Sequence, residues 1–391
     1  MKVKDCAVQI RGVSYKPTDL HSKLNDNSVT LFRANNIKDG EIIFDDVLYV
    51  DKKCVSDEQY LKKGDILICA SSGSKALVGK AAQIDFNGEY TFGAFCKAVR
   101  PNKNDDAILG VFFQSHAYRR MISALSQGVN INNIRNEHID NLELPFFTAE
   151  VKQKFINQIQ IVTKSIACCQ HLLQKLDTLV KSRFIEMFGD PVTNPMGWDK
   201  VPIEQICTYL KSGLSRKLSS MDIGIPVIRS TNMIGGALDV SDIKYWYIDD
   251  PQGANTNDYI LQQGDVLVNF INSEAHIGKV CIFKDIGREC IYTTNIFAMR
   301  LTTMCNSIFF NEFAKTQYYA REIQKIIQPA VNQASFTTSN FKKIMIPLPP
   351  IALQNQFAAF VAQADKSKSV LQKLLEKQEL LRAALMQEYF G

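Results

Sequence analysis

Two long amphipathic segments, about 200 residues apart, constrain this sequence more than any other feature. In the first, from Phe155 to Gly189, apolar residues recur with a 4-3-4-3 spacing, which predicts one apolar seam along a helix. The second runs from Phe357 to Gly391, and both segments end in Phe-Gly. A seam of this length needs a partner. The sequence therefore predicts two long helices that pair antiparallel as a coiled coil.

The apolar residues of the two helices form more than a narrow seam. The first seam comprises Phe155, Ile159, Val162, Ile166, Cys169, Leu173, Leu176 and Val180, and the second Phe357, Phe360, Ala364, Leu371, Leu374, Leu381 and Leu385. A wider stripe includes Ile159, Leu172, Leu179, Phe184, Val361, Val370 and Leu375. A stripe wider than one helix contact indicates a surface for further protein partners. The alternative is that it only forms core.

The segments that precede the two helices also repeat each other. Three pairs occur in the same order at offsets of 196 to 200 residues: Arg33-x-x-Asn36 with Arg229-x-x-Asn232, LKKGDILI (Leu61 to Ile68) with LQQGDVLV (Leu261 to Val268), and Gly79-Lys80 with Gly278-Lys279. A repeat at a fixed period indicates one structural unit present twice. The predicted fold class is α+β, with two mixed α/β domains at 1–147 and 199–347. Helices at 148–189 and 348–391 and a linker at 190–198 complete an internal pseudo-twofold repeat.

Local patterns predict the main elements of each repeat. The apolar runs Asp65 to Ala70 and Asp265 to Asn269 follow a Gly-Asp turn and are typical of buried strands. Helical stretches are expected at Ile108 to Leu125 and at Ser307 to Ile327. Thr148 has the side chain of a helix N-cap and predicts the start of the first long helix.

Motifs for catalysis are absent from the sequence. It contains no P-loop, no Rossmann G-x-G-x-x-G, no H-E-x-x-H, no G-x-S-x-G and no [DNS]-P-P-[YFW] of amino-methyltransferases. The five histidines lack metal-ligand spacing, and the ten cysteines contain no C-x-x-C. We therefore expect no metal, no bound cofactor, reduced thiols and a protein that is not an enzyme.

Charge and hydropathy restrict the partners and the location. The net charge of +5 is only mildly basic, so any nucleic-acid surface must be a local concentration of cations. No stretch reaches 18 apolar residues, and the first residues lack the apolar core of a signal peptide. We expect a cytoplasmic protein without a membrane partner.

Polar residues recur in equivalent turns and loops of the two repeats. The candidate DNA contacts are Arg33, Asn35, Asn36, Ser71, Ser72, Ser74, Lys75 and Lys80 in the first repeat and Arg229, Thr231, Asn232, Asn269, Asn272, Ser273, His276 and Lys279 in the second. Arginine and asparagine can pair bidentately with guanine and adenine, and lysine can contact phosphate. The alternative is that each asparagine bonds its own turn and each lysine is only solvated.

These features together resemble the DNA-specificity subunit of type I restriction-modification systems over essentially the whole chain. The Arg-x-x-Asn turns, the GDIL and GDVL strands and the Gly-Lys pairs carry the resemblance, with IPLPPIALQNQF from Ile346 to Phe357 and SRFIEMFGDP from Ser182 to Pro191. The first repeat departs from the family pattern, since Phe147-Thr148 replaces the expected Pro-Pro.

The resemblance implies a non-catalytic subunit with two target-recognition domains that read the halves of a bipartite double-stranded DNA target. It also implies that the helices act as spacers and hold two modification subunits. S-adenosylmethionine, and the ATP and Mg²⁺ used by the restriction (translocase) subunits, belong to those partners. The alternatives are a stand-alone DNA methyltransferase or nuclease, and a coiled-coil scaffold whose domains bind protein.

Overall fold

The structure is a computed structural model that describes residues 1–74, 77–102, 105–126, 133–145, 147–329 and 333–391. Its contacts divide the chain into two compact units. Unit 1 comprises Met1–Cys169 and Leu374–Gly391, and unit 2 comprises Gln170–Lys373. Each unit therefore contains a β-rich segment and part of both long helices.

The described residues of unit 1 form ten strands and three short helices before the first long helix. The strands are β1 (Ala7–Arg11), β2 (Leu20–His21), β3 (Ser28–Phe32), β4 (Ile37–Lys38), β5 (Glu41–Ile42), β6 (Leu48–Asp51), β7 (Ile66–Cys69), β8 (Ala81–Gln83), β9 (Tyr90–Phe92) and β10 (Cys96–Pro101). The helices are α1 (Asp106–Phe113), α2 (His116–Ser126) and α3 (Asn136–Asp140), and the 3-10 helices are Val3–Asp5, Pro17–Asp19, Ala34–Asn36, Lys52–Cys54 and Asp57–Gln59. The long helix α4 spans Ala149–Phe188.

Unit 2 repeats this order with a few additional strands. The strands are β11 (Lys200–Pro202), β12 (Cys207–Ser212), β13 (Ile225–Ile228), β14 (Met233–Ile234), β15 (Ala237–Leu238), β16 (Lys244–Trp246), β17 (Val266–Asn269), β18 (Ile271–Asn272), β19 (Val280–Ile282), β20 (Ile291–Tyr292), β21 (Ile296–Leu301), β22 (Gln328–Pro329), β23 (Ala334–Ser335) and β24 (Met345–Pro347). The helices are α5 (Ser307–Phe313), α6 (Gln317–Ile326) and α7 (Thr338–Lys342), with 3-10 helices at Ile203–Ile206, Ser230–Asn232 and Thr256–Tyr259. The second long helix, α8, spans Ile351–Phe390.

The main sheets of the two units correspond, except that β2 has no counterpart among the described strands of unit 2. The antiparallel sheet β1-β10-β7-β8 of unit 1 matches β12-β21-β17-β19 of unit 2. In the second sheet, β3 pairs antiparallel with β6 and parallel with β9, just as β13 pairs with β16 and β20. The hairpins β4-β5 and β14-β15 also match. This correspondence confirms the predicted internal repeat and the α+β fold class.

The two predicted helical stretches are each interrupted. A turn separates α1 from α2 at Gln114–Ser115, and another separates α5 from α6. In each turn a hydroxyl caps the following helix. The Ser115 hydroxyl accepts a hydrogen bond from Tyr118 N at 3.1 Å, and the Thr316 hydroxyl accepts one from Tyr319 N at 3.4 Å. Each stretch therefore forms a helical pair, because a capping side chain near its middle offers the backbone a new start.

The first long helix follows its predicted seam. All eight positions from Phe155 to Val180 are buried or partly buried. The Thr148 hydroxyl accepts a hydrogen bond from Val151 N at 3.3 Å, so the helix has its predicted cap without the Pro-Pro pair. The helix ends at Gly189, whose φ of +75° closes the C-terminus.

Within each unit, the start of one long helix packs against the end of the other. In unit 1, the Phe155 ring stacks on the Tyr389 ring with centroids 4.2 Å apart. In unit 2, the Phe184 and Phe357 rings meet edge to face at 5.6 Å, and Lys368 Nζ lies 2.6 Å from Asp177 Oδ1. The directions of the helices are therefore antiparallel in both units. The same aromatic residues pack against the first sheet and its helices, which joins each helix pair to a core.

The second long helix departs from its predicted seam. Leu374 and Leu381 are 40% and 47% exposed, so their assignment to the seam is wrong. The partly buried positions are instead Lys368, Leu371, Leu375, Gln378 and Arg382 before the buried Leu385. Three of these positions are polar. A search for apolar residues alone therefore selects Leu374 and Leu381, each one residue away from the true seam positions Leu375 and Arg382.

The wider apolar stripe divides into two groups. Ile159, Phe184 and Val361 are buried and Leu375 is partly buried, because the rest of each unit packs on the helices there. Leu172, Leu179 and Val370 are 39%, 50% and 67% exposed. Only the second group is available to a further partner.

The remaining features are the cysteine thiols, the possible metal ligands and the hydropathy of the helices. All ten cysteines are free thiols, and burial raises the pKa of Cys281 and Cys305 to about 12. Over the described ranges of the chain, no group of histidine, cysteine or acidic residues could hold a metal ion. No helix in those ranges is both long and apolar enough to cross a membrane.

Candidate nucleic-acid interface

A buried ion pair shapes the Gly-Asp turn before the central strand in both units. Asp65 accepts hydrogen bonds from Arg100 Nε at 2.9 Å and Nη2 at 2.7 Å, and Asp265 accepts the same bonds from Arg300 at 2.9 and 2.8 Å. Each carboxylate also accepts the backbone N–H three residues before it at 2.8 Å. The aspartates are 1% and 2% exposed. The Gly-Asp motif is therefore a structural element that fixes the start of β7 and β17.

The Arg-x-x-Asn turns are held by their asparagines. The Asn36 side chain accepts from Arg33 N at 2.9 Å and donates to Ile43 O at 3.0 Å and Asp45 O at 2.8 Å. Asn232 makes the equivalent bonds, to Arg229 N at 2.9 Å, Asp239 O at 2.9 Å and Asp242 O at 3.2 Å. Both are almost fully buried. These contacts support the interpretation that the two asparagines bond their own turns.

The arginines of these turns each meet an aspartate thirteen residues later. Arg33 Nη2 lies 2.8 Å from Asp46 Oδ2, and Arg229 Nη2 lies 2.7 Å from Asp242 Oδ2. Hydrogen bonds from Lys244 and then Arg229 hold the pKa of the Asp242 carboxyl below its usual value. The arginine side chains are 34% and 22% exposed and their aspartates 77% and 64%. An incoming base or phosphate can therefore compete with the aspartate for the guanidinium.

Neighbouring turn residues remain at the surface. Asn35 and Thr231 occupy equivalent exposed positions, and Asn35 Nδ2 donates to Asp46 Oδ2 at 3.0 Å. The two aspartates were missed by the sequence analysis, although their identical thirteen-residue spacing from the arginine was available as a signal. The Asp65–Arg100 and Asp265–Arg300 pairs were missed in the same way, with a spacing of 35 in both repeats.

The loops after the central strands place the remaining candidates in a shared frame. Ser71 and Ser72 are partly exposed and Ser74 is exposed, while Lys75 lies outside the described residues. In unit 2, Asn272 is partly exposed, and Ser273 and His276 are exposed. Asn269 differs from these, because it is 2% exposed and donates to His276 O at 3.3 Å inside the loop.

The Gly-Lys pairs close these loops. Gly79 and Gly278 have φ values of +80° and +79°. A Cβ atom there would lie 2.5 Å from Ile122 Cγ2 or 2.9 Å from Ile323 Cγ2, so only glycine fits. Lys80 lines a cavity of about 180 Å³ together with Arg119 and Arg382. Lys279 Nζ lies 2.8 Å from His276 Nδ1.

The two units thus present the same kind of surface, a turn with an arginine, a polar loop and a lysine. Each of the three follows a buried strand: β3 or β13 precedes the arginine, and β7 or β17 precedes the loop that ends in Gly-Lys. Rigid strands with polar loops at their ends are the usual arrangement of a binding surface. Arginine, serine, asparagine and lysine are side chains that contact bases and phosphates.

Comparisons with known proteins identify the family of the chain. A family model described as the type I restriction modification DNA specificity domain matches residues 13–178 and again residues 195–382. The specificity subunit of the type I restriction enzyme EcoKI from Escherichia coli (strain K12) is 27% identical over 369 residues, which cover 90% of this chain and 79% of that one. The StySPI specificity subunit from Salmonella potsdam is 25% identical over 368 residues with the same coverage.

Solved structures show the same fold. The S subunit of a type I restriction-modification system from M. genitalium matches with a TM-score of 0.61 and 14% identity, covering 100% of this chain and 95% of that one. A chain from a study of complex assembly in the type I restriction-modification system matches with a TM-score of 0.55 and 15% identity, covering 100% and 96%. Because the family model matches twice and accounts for most of the sequence, the chain belongs to the DNA-specificity subunits of type I restriction-modification systems.

Proposed function

We propose that each unit of this specificity subunit reads one half of a bipartite double-stranded DNA target. The observation that carries the proposal is the combination of a repeated frame with unlike loops. The ion pair, the asparagine turn and the Gly-Lys turn recur in both units, whereas CASSGSK (Cys69 to Lys75) and NFINSEAH (Asn269 to His276) differ. Two different half-sites require this arrangement, because direct readout depends on which side chains meet the base edges.

The catalytic steps belong to other subunits in this proposal. Two modification subunits transfer methyl groups from S-adenosylmethionine, and restriction subunits use ATP and Mg²⁺ to translocate and cleave DNA. The modification subunits bind the long helices, where Leu172, Leu179 and Val370 leave apolar surface exposed. The chain contributes sequence recognition and a docking surface.

Matched loop variants in the two units test the proposal. The subunit is co-expressed with its modification subunit in a host without other DNA methyltransferases, and the methylated motif is read from the genomic DNA by long-read sequencing. Ser72→Ala with Ser74→Ala changes the unit 1 loop, and Asn272→Ala with Ser273→Ala changes the unit 2 loop. Each pair is expected to relax or weaken methylation at one half-site and leave the other unchanged.

The control for these variants removes two exposed serines from a long helix, Ser367→Ala with Ser369→Ala, and is expected to leave the motif intact. Equal changes in both half-sites from either loop pair would contradict the two-reader proposal. Methyl transfer by the purified chain alone would favour a stand-alone methyltransferase. Assembly without any dependence on DNA sequence would favour a protein-binding scaffold.

A further inference from the structure

A tight turn beside each candidate loop carries a residue that differs between the units. In unit 1 the turn joins β9 to β10, and Cys96 N donates to Gly93 O at 2.8 Å. In unit 2 the turn joins β20 to β21, and Ile296 N donates to Thr293 O at 3.1 Å. The third residue of the turn is Phe95 in unit 1 and Asn295 in unit 2.

Each turn is bonded to the start of the adjoining loop. The carbonyl of Phe95 accepts from Ala70 N at 2.9 Å and from Ser71 N at 3.0 Å, and the carbonyl of Asn295 accepts from Phe270 N at 3.1 Å. Residue 95 or 295 is therefore bonded through its backbone to the start of the loop proposed to contact DNA. This inference rests on the proposed function.

A glycine also lies close to the backbone at the start of each turn. A Cβ atom on Gly12 would lie 2.2 Å from Gly93 O, and one on Gly213 would lie 2.0 Å from Tyr292 O. Backbone atoms cannot yield in the way that a flexible side chain can. The turn is thus held both by the close approach of a glycine and by hydrogen bonds to the loop backbone, so the backbone of residue 95 or 295 has a defined position.

Phe95 is 72% exposed on this fixed turn, whereas Asn295 is partly exposed. One exposed apolar side chain is common on protein surfaces and carries little information by itself. Here it lies on a hydrogen-bonded turn beside a polar loop, and its counterpart in the equivalent turn of unit 2 is an amide. The hydrogen bonds of the turn are between backbone atoms, so the residue at this position can differ without loss of the turn.

We propose that Phe95 and Asn295 are specificity-determining residues that contact bases in the two half-sites. A phenyl ring can pack on a thymine methyl group or against an unstacked base step, and an asparagine amide can pair with adenine N6 and N7. If this position contacted two copies of one partner subunit, the same residue would be expected in both units. Two different half-sites call for unlike residues, and this position supplies them.

Substitutions at both positions test the inference in the complex with the modification subunit. Phe95→Ala is expected to lower base preference about tenfold at one or two positions of the unit 1 half-site, while the unit 2 half-site stays unchanged. Asn295→Ala is expected to do the reverse. The readout is again the methylated motif in genomic DNA, and Phe95→Leu, which keeps an apolar group, is expected to retain part of the preference.

The matched control is Leu24→Ala, which shortens another exposed apolar side chain of unit 1 and is expected to leave the motif unchanged. An unchanged motif and unchanged methylation level for both Phe95 variants would overturn the inference. Lower methylation at every site with the motif intact would also overturn it, since that result indicates a protein contact. The proposed function itself fails only if the unsubstituted complex methylates without sequence preference or if the loop variants act on both half-sites.

Discussion

Unit 1 and unit 2 share the buried polar side chains that bond within each unit and differ at several positions that face solvent. Asp65 and Asp265 accept the same arginine bonds at distances within 0.1 Å of each other, with Oδ2 to Nη2 at 2.7 and 2.8 Å. At the surface, in contrast, an exposed phenylalanine in unit 1 corresponds to an asparagine in unit 2. Buried polar groups need their hydrogen-bond partners and are therefore the same in both units. Exposed side chains can differ with the ligand that each unit binds.

The attachment of the long helices shows a more limited difference. In unit 1, Lys152 Nζ near the start of α4 lies 2.6 Å from Asp105 Oδ1. In unit 2, the Gln354 side chain near the start of α8 accepts from Asn306 N at 2.8 Å and donates to Pro349 O at 2.7 Å. The Lys152–Asp105 and Gln354–Asn306 contacts each tie the first turn of a long helix to the residue just before a short helix, α1 in unit 1 and α5 in unit 2. The contact therefore has the same position in both units, while its chemistry changes from an ion pair to amide hydrogen bonds.

The largest effects are expected from the aromatic residues that join helix and core. Phe155 and Phe357 are equivalent, and each is fully buried. Phe155→Ala and Phe357→Ala should each lower the free energy of unfolding by about 3 to 5 kcal/mol, because each leaves a cavity among neighbouring aromatic rings. Urea denaturation followed by circular dichroism measures both values.

Equal losses would show that the two helix contacts are equivalent in energy as well as in position. The exposed Val370→Ala serves as the control and should change the free energy by no more than about 0.5 kcal/mol. A loss below about 1 kcal/mol for one phenylalanine alone would break the equivalence of the units.

The ion pairs of the Gly-Asp turns should give the next largest effect. Asp65→Ala and Asp265→Ala each leave a largely buried guanidinium without its carboxylate, which costs about 3 kcal/mol. The losses should agree within about 1 kcal/mol, because Arg100 and Arg300 are 18% and 30% exposed. Lys53→Ala breaks an exposed pair with Asp51 and should lower the free energy of unfolding much less than either aspartate variant, because solvent screens an exposed pair. If Asp65→Ala or Asp265→Ala lowered the free energy of unfolding only as much as this control, the ion pair would not be a structural element of that unit.

The sequence predicted the first long helix well because its seam is wholly apolar. The eight positions from Phe155 to Val180 could be found from spacing alone. The seam of the second helix was harder to predict, because the polar residues Lys368, Gln378 and Arg382 occupy seam positions. Lys368 bonds Asp177 at 2.6 Å, and no periodicity of apolar residues can reveal such a partner.

The candidate interface was predictable in its location and less so in its roles. Repetition identified Arg33, Asn36 and their counterparts as important residues without stating what they contact. The structure shows that the asparagines bond the turn, since both are buried and have three hydrogen bonds each within the chain. Phe95 was not found at all, because a search for shared residues passes over a position at which the two repeats differ.

The smallest effect is expected from the lysines that follow the equivalent glycines Gly79 and Gly278. Lys80 and Lys279 occupy the same position in both units, and we expect each to contact a phosphate, so neither should influence the sequence that is read. Lys80→Ala and Lys279→Ala should each weaken DNA binding by the complex and lower the slope of log K against log salt by about 0.9, the value for one phosphate contact. The methylated motif should stay the same, in contrast to the loop and turn variants. Binding titrations at several salt concentrations measure the slope, and Lys53→Ala serves as the control cation. A changed methylated motif for either lysine variant would show that this lysine helps to determine the sequence of its half-site.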